Sequence, residues 1–498
     1  MRIAVVLLTL GVLLVGWLLA LGIVAGQVFN AETGEPRLAA LPLISDRMSA
    51  WLGLIALLAL LLSFFDVTSL SLHPFYRQRL ASTFAVRRLC KEDVEKAVKY
   101  EPSEATRLDK YGKAQAGGPK FVFAAAAAIS DGDIRPPPGL NAVSFVMTAD
   151  CVGGPALGWL KTPELCQAAP PRIERDLTVE AAVAVSGAAF SSAMGRQNKG
   201  IQTLLALSGA RLGTWLPNPR FARIAQCKAA KLSFPKALPS VRGAGYFYRE
   251  LFGINKSDAR LVQVTDGGHY ENLGLVEALR RRCRLIYCID GGGDAGPLLC
   301  GLADAIRLAR FELGVEITLE NDGPFGVENL APGSGDQFGD GHWFHSLNAR
   351  ITKGAVVRGE IKYPRAAGLD AEASSGWLIV AKAVLWRELP DWVLTYAAEK
   401  GGAEFPHDST SDQWFTEGQF ATYTELGRHI AVQAMRAQVP RTKSPPEAAT
   451  NGEGHADSPK TAAGVATVDV ITQAQLSPGP PDTGTADTAT NPHLTGSN

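Results

Sequence analysis

The sequence predicts an α/β protein carried behind a transmembrane helical hairpin and followed by a disordered C-terminal tail. Three observations lead there. Residues 3–28 hold no charge in 26 positions, and residues 48–65 hold none in 18. Between about 260 and 319, short apolar runs alternate with a helical pattern and stop at Asp-Gly turns. After residue 437 the composition turns to Pro, Thr, Ala, Gly and Asp with no aromatic residue. The expected division is 1–66 for the membrane segment, 67–437 for the main domain and 438–498 for the tail.

The first run is long enough for a helix through about 30 Å of hydrocarbon, and the second is near the lower limit. A signal peptide would have a shorter apolar core and a small-residue cleavage site, so a two-span anchor is expected. The loop between the runs carries Glu32, Glu35, Arg37, Asp46 and Arg47, whereas Arg77, Arg79, Arg87, Arg88 and Lys91 follow the second run. Basic residues stay on the cytoplasmic side, so the main domain is expected in the cytoplasm. The seven cysteines, at 90, 151, 166, 227, 283, 288 and 300, lack CxxC spacing and suit a reducing compartment. The tail buries too little apolar area to offset its ordering entropy.

With 49 basic and 49 acidic residues the formal charge is zero, which argues against a nucleic-acid partner. In the main domain, 261–265 reads as a strand stopped by Asp266-Gly267-Gly268. Leu275, Val276, Leu279 and Cys283 then share a helical face, with Arg280, Arg281 and Arg282 at the end that favours cations. A second strand, 285–289, is stopped by Asp290-Gly291-Gly292-Gly293. Leu298, Leu302, Ile306, Ala309 and Leu313 mark a second helix, in which Ala309 allows close packing, and 315–319 is a third strand. Strand-helix-strand-helix-strand with short turns predicts a parallel sheet with right-handed crossovers. Ligands gather beyond the carboxyl ends of such strands, where Asp266 and Asp290 both fall. An Asp-Gly turn chosen for geometry alone accounts for the same residues.

The stretch from Thr265 to Gly274, with Asp266-Gly267-Gly268-His269-Tyr270-Glu271-Asn272 at its centre, resembles the Asp-Gly-Gly block of patatin-like phospholipases. It is more similar still to a bacterial group of large membrane-anchored patatin-related proteins. Ser71 to Leu80, Ala184 to Ala189 with Met194-Gly195, Arg211 to Leu216 with Asn218-Pro219, and Phe405-Pro406-His407 with Ser409 to Phe415 resemble further segments of that group, in order. The resemblance covers residues 66 to about 430. It implies a lipid acyl hydrolase with a Ser-Asp dyad, no cofactor and no metal, acting on a membrane phospholipid or other acyl ester. Asp266 matches the dyad aspartate. Gly267, Gly268, His269, Asn272 and Gly187 are expected to form the site wall.

The chain departs from that pattern because it contains no G-x-S-x-G and no upstream glycine-rich oxyanion loop. In the large membrane group the serine half precedes the membrane helices, so this chain resembles the aspartate-bearing half. The nucleophile would then come from upstream sequence or a separate chain, and a non-catalytic module that binds lipid or protein is the alternative. Ser186, in Ala184-Val185-Ser186-Gly187-Ala188, is a substitute nucleophile if alanine replaces both elbow glycines. A wall role is the blander reading.

Gly291-Gly292-Gly293 reads as a turn needing positive φ rather than an oxyanion loop. Asp340, His342 and His345 have some metal-ligand character without a fourth ligand. His407 is expected to fix the loop before Trp414. The basic residues Arg280 to Arg284 read as a solvated helix end, with anionic head groups as the alternative partner.

Overall fold

The computed structural model describes most of residues 66–437 and a few short pieces before them (15–19, 22, 52–57 and 60). Within the main domain the description leaves out 92–93, 102–103, 113–118, 189–204, 207, 223–237, 294–298, 366–373, 400–403 and 410–414. Most of the two charge-free runs, the whole tail, Met194, Gly195, Leu298 and Trp414 lie outside the described residues. Residues 15–19 and 52–57 are helical. Among the described residues, no helix is long and apolar enough to cross a membrane.

The main domain is mixed α/β. It opens with helix α1 (His73–Phe84), the hairpin β1 (Val86–Lys91) and β2 (Val94–Lys99), then β3 (Phe123–Ala128), β4 (Ala142–Met147), β5 (Cys151–Gly154) and β6 (Gly158–Lys161). Helices α2 (Thr162–Ala168), α3 (Pro171–Glu174) and α4 (Val179–Ser186) lead to β7 (Thr214–Pro217), α5 (Ala244–Leu251) and β8 (Leu261–Thr265). There follow α6 (Leu275–Arg280), β9 (Leu285–Asp290), α7 (Cys300–Leu313), β10 (Glu316–Leu319), β11 (Ile351–Thr352), β12 (Val356–Lys362), β13 (Ser375–Lys382), β14 (Leu385–Trp386), α8 (Asp391–Ala398) and α9 (Glu417–Arg436).

The expected elements between 261 and 319 are present, but they do not share one parallel sheet. Strand β8 lies in a six-stranded sheet of order β6-β5-β4-β3-β8-β7, antiparallel to both neighbours. Strands β9 and β10 are the two edges of a second sheet, β10-β12-β13-β9. There β9 runs parallel to β13, and β10 runs antiparallel to β12. Periodicity sets where a strand begins and which face it buries. It does not choose between a neighbour 20 residues away and one nearly 100 away, and the distant β13 is the partner of β9.

The six-stranded sheet has core on both faces. Along β3, Ala125 and Ala127 belong to one buried cluster, with Phe145, Val185 and Trp215. Ala126 belongs to the other, with Leu275, Leu302 and Val380. Alanine is a weak strand former. Here its small side chains let α4 and the loop after β8 approach the β3 backbone. Ala309 on α7 is fully buried, as its place in the apolar stripe suggests.

Close strand packing also explains Gly154 on β5. A Cβ there would stand 2.0 Å from the Ser144 carbonyl oxygen, a backbone atom that cannot move aside alone. Gly154→Ala is expected to cost about 1–3 kcal/mol through overpacking. A lower midpoint of thermal unfolding in detergent checks this.

Candidate active site around Asp266

Strand β8 ends at Thr265, and the chain turns through one 3-10 turn, Gly267–His269, with Asp266 as its cap. Asp266 Oδ1 accepts the Gly268 N–H at 2.6 Å. Among the described residues no cation pairs with this carboxylate. Burial raises its pKa above the ordinary aspartate value, and the single N–H bond offsets only part of that.

Neither glycine has positive φ, and both stand in close quarters, Gly267 against backbone and Gly268 against a side chain. A Cβ on Gly267 would lie 3.0 Å from the Ala124 carbonyl oxygen of β3, and one on Gly268 only 2.0 Å from Asn272 Oδ1. Asn272 thus occupies the space that a side chain at 268 would fill. His269 is half-buried, and its Nδ1 has no hydrogen-bond partner. Burial pulls its pKa down to about 4, so the ring is neutral near pH 7.

Two elements from earlier in the chain meet this turn. Ser186 is the last residue of α4, and its hydroxyl donates to the Ala124 carbonyl at 2.6 Å. It therefore contacts the same carbonyl that Gly267 approaches. No hydrogen bond joins Ser186 to Asp266. Nor does Ser186 stand on a strand-to-helix turn, the geometry its reading as a substitute elbow serine requires. Gly187 caps α4, and its carbonyl accepts the Tyr76 hydroxyl at 3.5 Å. Burial, and then the charge of Asp266, raise the pKa of Tyr76. Tyr76, on α1, escaped the sequence reading although it lies within the family-like segment Ser71 to Leu80.

The turn is held from behind by Glu271, whose Oε1 accepts the Leu273 N–H and whose Oε2 accepts the Val276 N–H at 3.1 Å. These bonds satisfy N–H groups at the start of α6. The buried Glu277 on α6 accepts the Ser144 hydroxyl of β4 at 2.5 Å and pairs with Arg280 and Arg281. Arg280 also reaches Glu312 at 2.8 Å, and Arg282 stacks over Tyr363. Arg280 and Arg282 are thus tied into the fold, while Arg281 and Arg284 are exposed, so the expected solvated helix end holds for only part of the run.

The other sequence candidates fall elsewhere. None of Gly291, Gly292 and Gly293 has positive φ, contrary to expectation. Gly293 is needed instead because a Cβ would stand 2.8 Å from the His407 carbonyl oxygen. Asp290 ends β9 and is buried against Lys382, whose Nζ lies 3.1 Å from Asp290 Oδ2 and donates to the Gly292 carbonyl at 2.7 Å. This ion pair anchors the triple-glycine turn. Asp340 and His345 are 3.7 Å apart, while the His342 ring stacks on Phe338. Among the described residues no group of potential metal ligands gathers.

A buried charge cluster, invisible to the sequence reading, fixes α1 beside the site. Arg242 grips Asp66 with Nε at 2.7 Å and Nη2 at 2.8 Å, and reaches Asp176 with Nη1 at 2.5 Å. Arg77 of α1 adds a contact to Asp176 at 3.0 Å, and His73 Nδ1 donates to the Leu212 carbonyl at 2.7 Å. Burial would raise the pKa of Asp176, but Arg242 and His73 outweigh it and hold the carboxyl below its usual range. The same balance, dominated by Arg242, lowers that of Asp66.

Compared with protein-family models, with curated proteins and with solved structures, the chain finds no match.

Proposed function

We propose that this chain is the aspartate-bearing half of a membrane-anchored, patatin-like lipid acyl hydrolase. The observation that carries the reading is Asp266: a half-buried carboxylate with one oxygen held by Gly268 N–H, no paired cation among the described residues and a raised pKa. A carboxylate in that state takes a proton more readily than an exposed one. Its role would be to accept the proton of a serine hydroxyl as the serine attacks an acyl ester, and then to return it to the leaving alcohol. The neutral His269, Tyr76 and Asn272 would wall the cleft.

In this reading the two charge-free runs are the anchor and the main domain faces the cytoplasm. The substrate is a membrane phospholipid or related ester. The patatin-like fold is part of the same proposal, since the antiparallel six-stranded sheet does not by itself point to it. The nucleophile comes from a segment or chain outside residues 1–498, because G-x-S-x-G is absent from them. An apolar face on strand β9 fits a partner segment: Leu285, Tyr287 and Ile289 are 45%, 44% and 63% exposed among the described residues.

A non-catalytic lipid- or protein-binding module is the second reading, favoured by the Ser186 hydroxyl being engaged by Ala124 rather than by Asp266. Ser186→Ala separates a wall residue from a nucleophile. In membranes holding the complete system, the variant is expected to keep hydrolysis within about threefold of wild type. Loss of three orders of magnitude would make Ser186 the nucleophile. Lipid binding without turnover in those membranes would establish the second reading.

A further inference from the structure

A cavity of about 630 Å³ opens between α1 and the segments that follow β2 and precede α4. Its lining carries both signs of charge. Arg79 and Arg175 are exposed, and among the described residues neither guanidinium has a carboxylate partner. On the acidic side are Glu101, whose carboxylate has no cation partner among the described residues, and Glu180. Glu180 is 7% exposed. Its Oε1 accepts the Thr106 N–H at 2.9 Å, while Oε2 has no hydrogen-bond partner. A buried, unpaired carboxylate oxygen is costly unless something donates to it.

Two free cations and two under-used carboxylates in one cavity match a ligand that is itself zwitterionic. A lone phosphate would satisfy the arginines and be repelled by the glutamates. A lone amine would do the reverse. Phe75 lines the same cavity and is 63% exposed, which gives the cavity an apolar lip. It stands ten residues after the end of the second charge-free run at Phe65.

We propose that this cavity binds the phosphoethanolamine head group of a membrane phospholipid, with Arg79 and Arg175 on the phosphate and Glu101 and Glu180 on the ammonium. The site takes no part in hydrolysis at Asp266, and its occupancy is read by binding alone. Arginine suits the phosphate because its planar fork donates two parallel hydrogen bonds. An ammonium donates hydrogen bonds to carboxylates, whereas the trimethylammonium of choline does not.

The test titrates the full chain, purified in a lipid-free detergent, with short-chain phosphatidylethanolamine, phosphatidylcholine, phosphatidylglycerol and free phosphoethanolamine by calorimetry. Phosphatidylethanolamine is expected to bind at least about tenfold more tightly than the other lipids. Arg79→Gln with Arg175→Gln, both at exposed positions, is expected to weaken it at least about tenfold. Glu101→Gln is expected to narrow the gap to phosphatidylcholine. Equal affinity for the three lipids, or no change in the arginine variant, overturns the site. Free phosphoethanolamine binding as tightly as the lipid overturns the membrane source of the ligand.

Discussion

Arg242→Met is expected to be the most damaging single replacement in the main domain. Arg242 is 1% exposed and neutralises Asp66 and Asp176, which are 2% and 4% exposed. Removing the guanidinium leaves the buried Asp66 without a cation among the described residues, and Asp176 with only Arg77 and His73 beside it. Breaking a buried pair in this way costs about 3–5 kcal/mol, a large part of the roughly 5–15 kcal/mol that holds a typical domain folded. The expected result is loss of the detergent-soluble folded protein, or a sharply lowered unfolding midpoint. Replacing Asp66 and Arg242 together by apolar residues of similar volume is expected to recover part of the loss, because Asp176 keeps its contact with Arg77 and no carboxylate is left without a cation. A single variant that unfolds at the wild-type temperature would show that the cluster does not hold α1 in place.

The cluster also sets a pH dependence. Both aspartates have folded-state pKa values below their unfolded ones. Their contribution is therefore fully present above the ordinary aspartate value of about 3.9 and is lost as the pH falls through the depressed values.

Asp266→Asn is expected to remove lipid hydrolysis while leaving the fold intact. Asparagine keeps the shape and can still accept the Gly268 N–H. It cannot take up a proton. A positioned general base contributes about 10²–10⁴-fold, so a drop of two to four orders of magnitude is expected here. Because burial raises the pKa of Asp266, activity should fall on the acid side at a pH above the ordinary aspartate value of 3.8. An acid limb at or below that value would mean that another group governs the rate.

Much of the local structure was legible in the sequence. The strand at 261–265 was placed to the residue, and the strands and helices around 275–319 to within about two to three residues at their ends. Each has a clear period, and β8, β9 and α7 also end at Asp-Gly or Gly, and such signals are local. The sheet partners were not legible, because β9 gains its parallel neighbour only when β13 arrives almost a hundred residues later. Strand β3 hid in a run of five alanines that carries no strand preference of its own. Of the candidate site, Asp266 and the two glycines stood out in the sequence, although the reason for the glycines is contact with Ala124 and Asn272 rather than turn geometry. Tyr76, Asp176 and Arg242 were missed for a common physical reason. Charged and amphipathic residues read as solvated unless a motif says otherwise, and their burial here depends on partners between 28 and 176 residues away.

The most direct measurement is the release of fatty acid from labelled phospholipid by native membranes that carry either wild-type chain or Asp266→Asn at matched abundance. If Asp266 is the general base of an acyl hydrolase, wild-type membranes release fatty acid and the variant membranes fall to the background of membranes without the chain. Equal release by the two, well above that background, would contradict a catalytic role for Asp266.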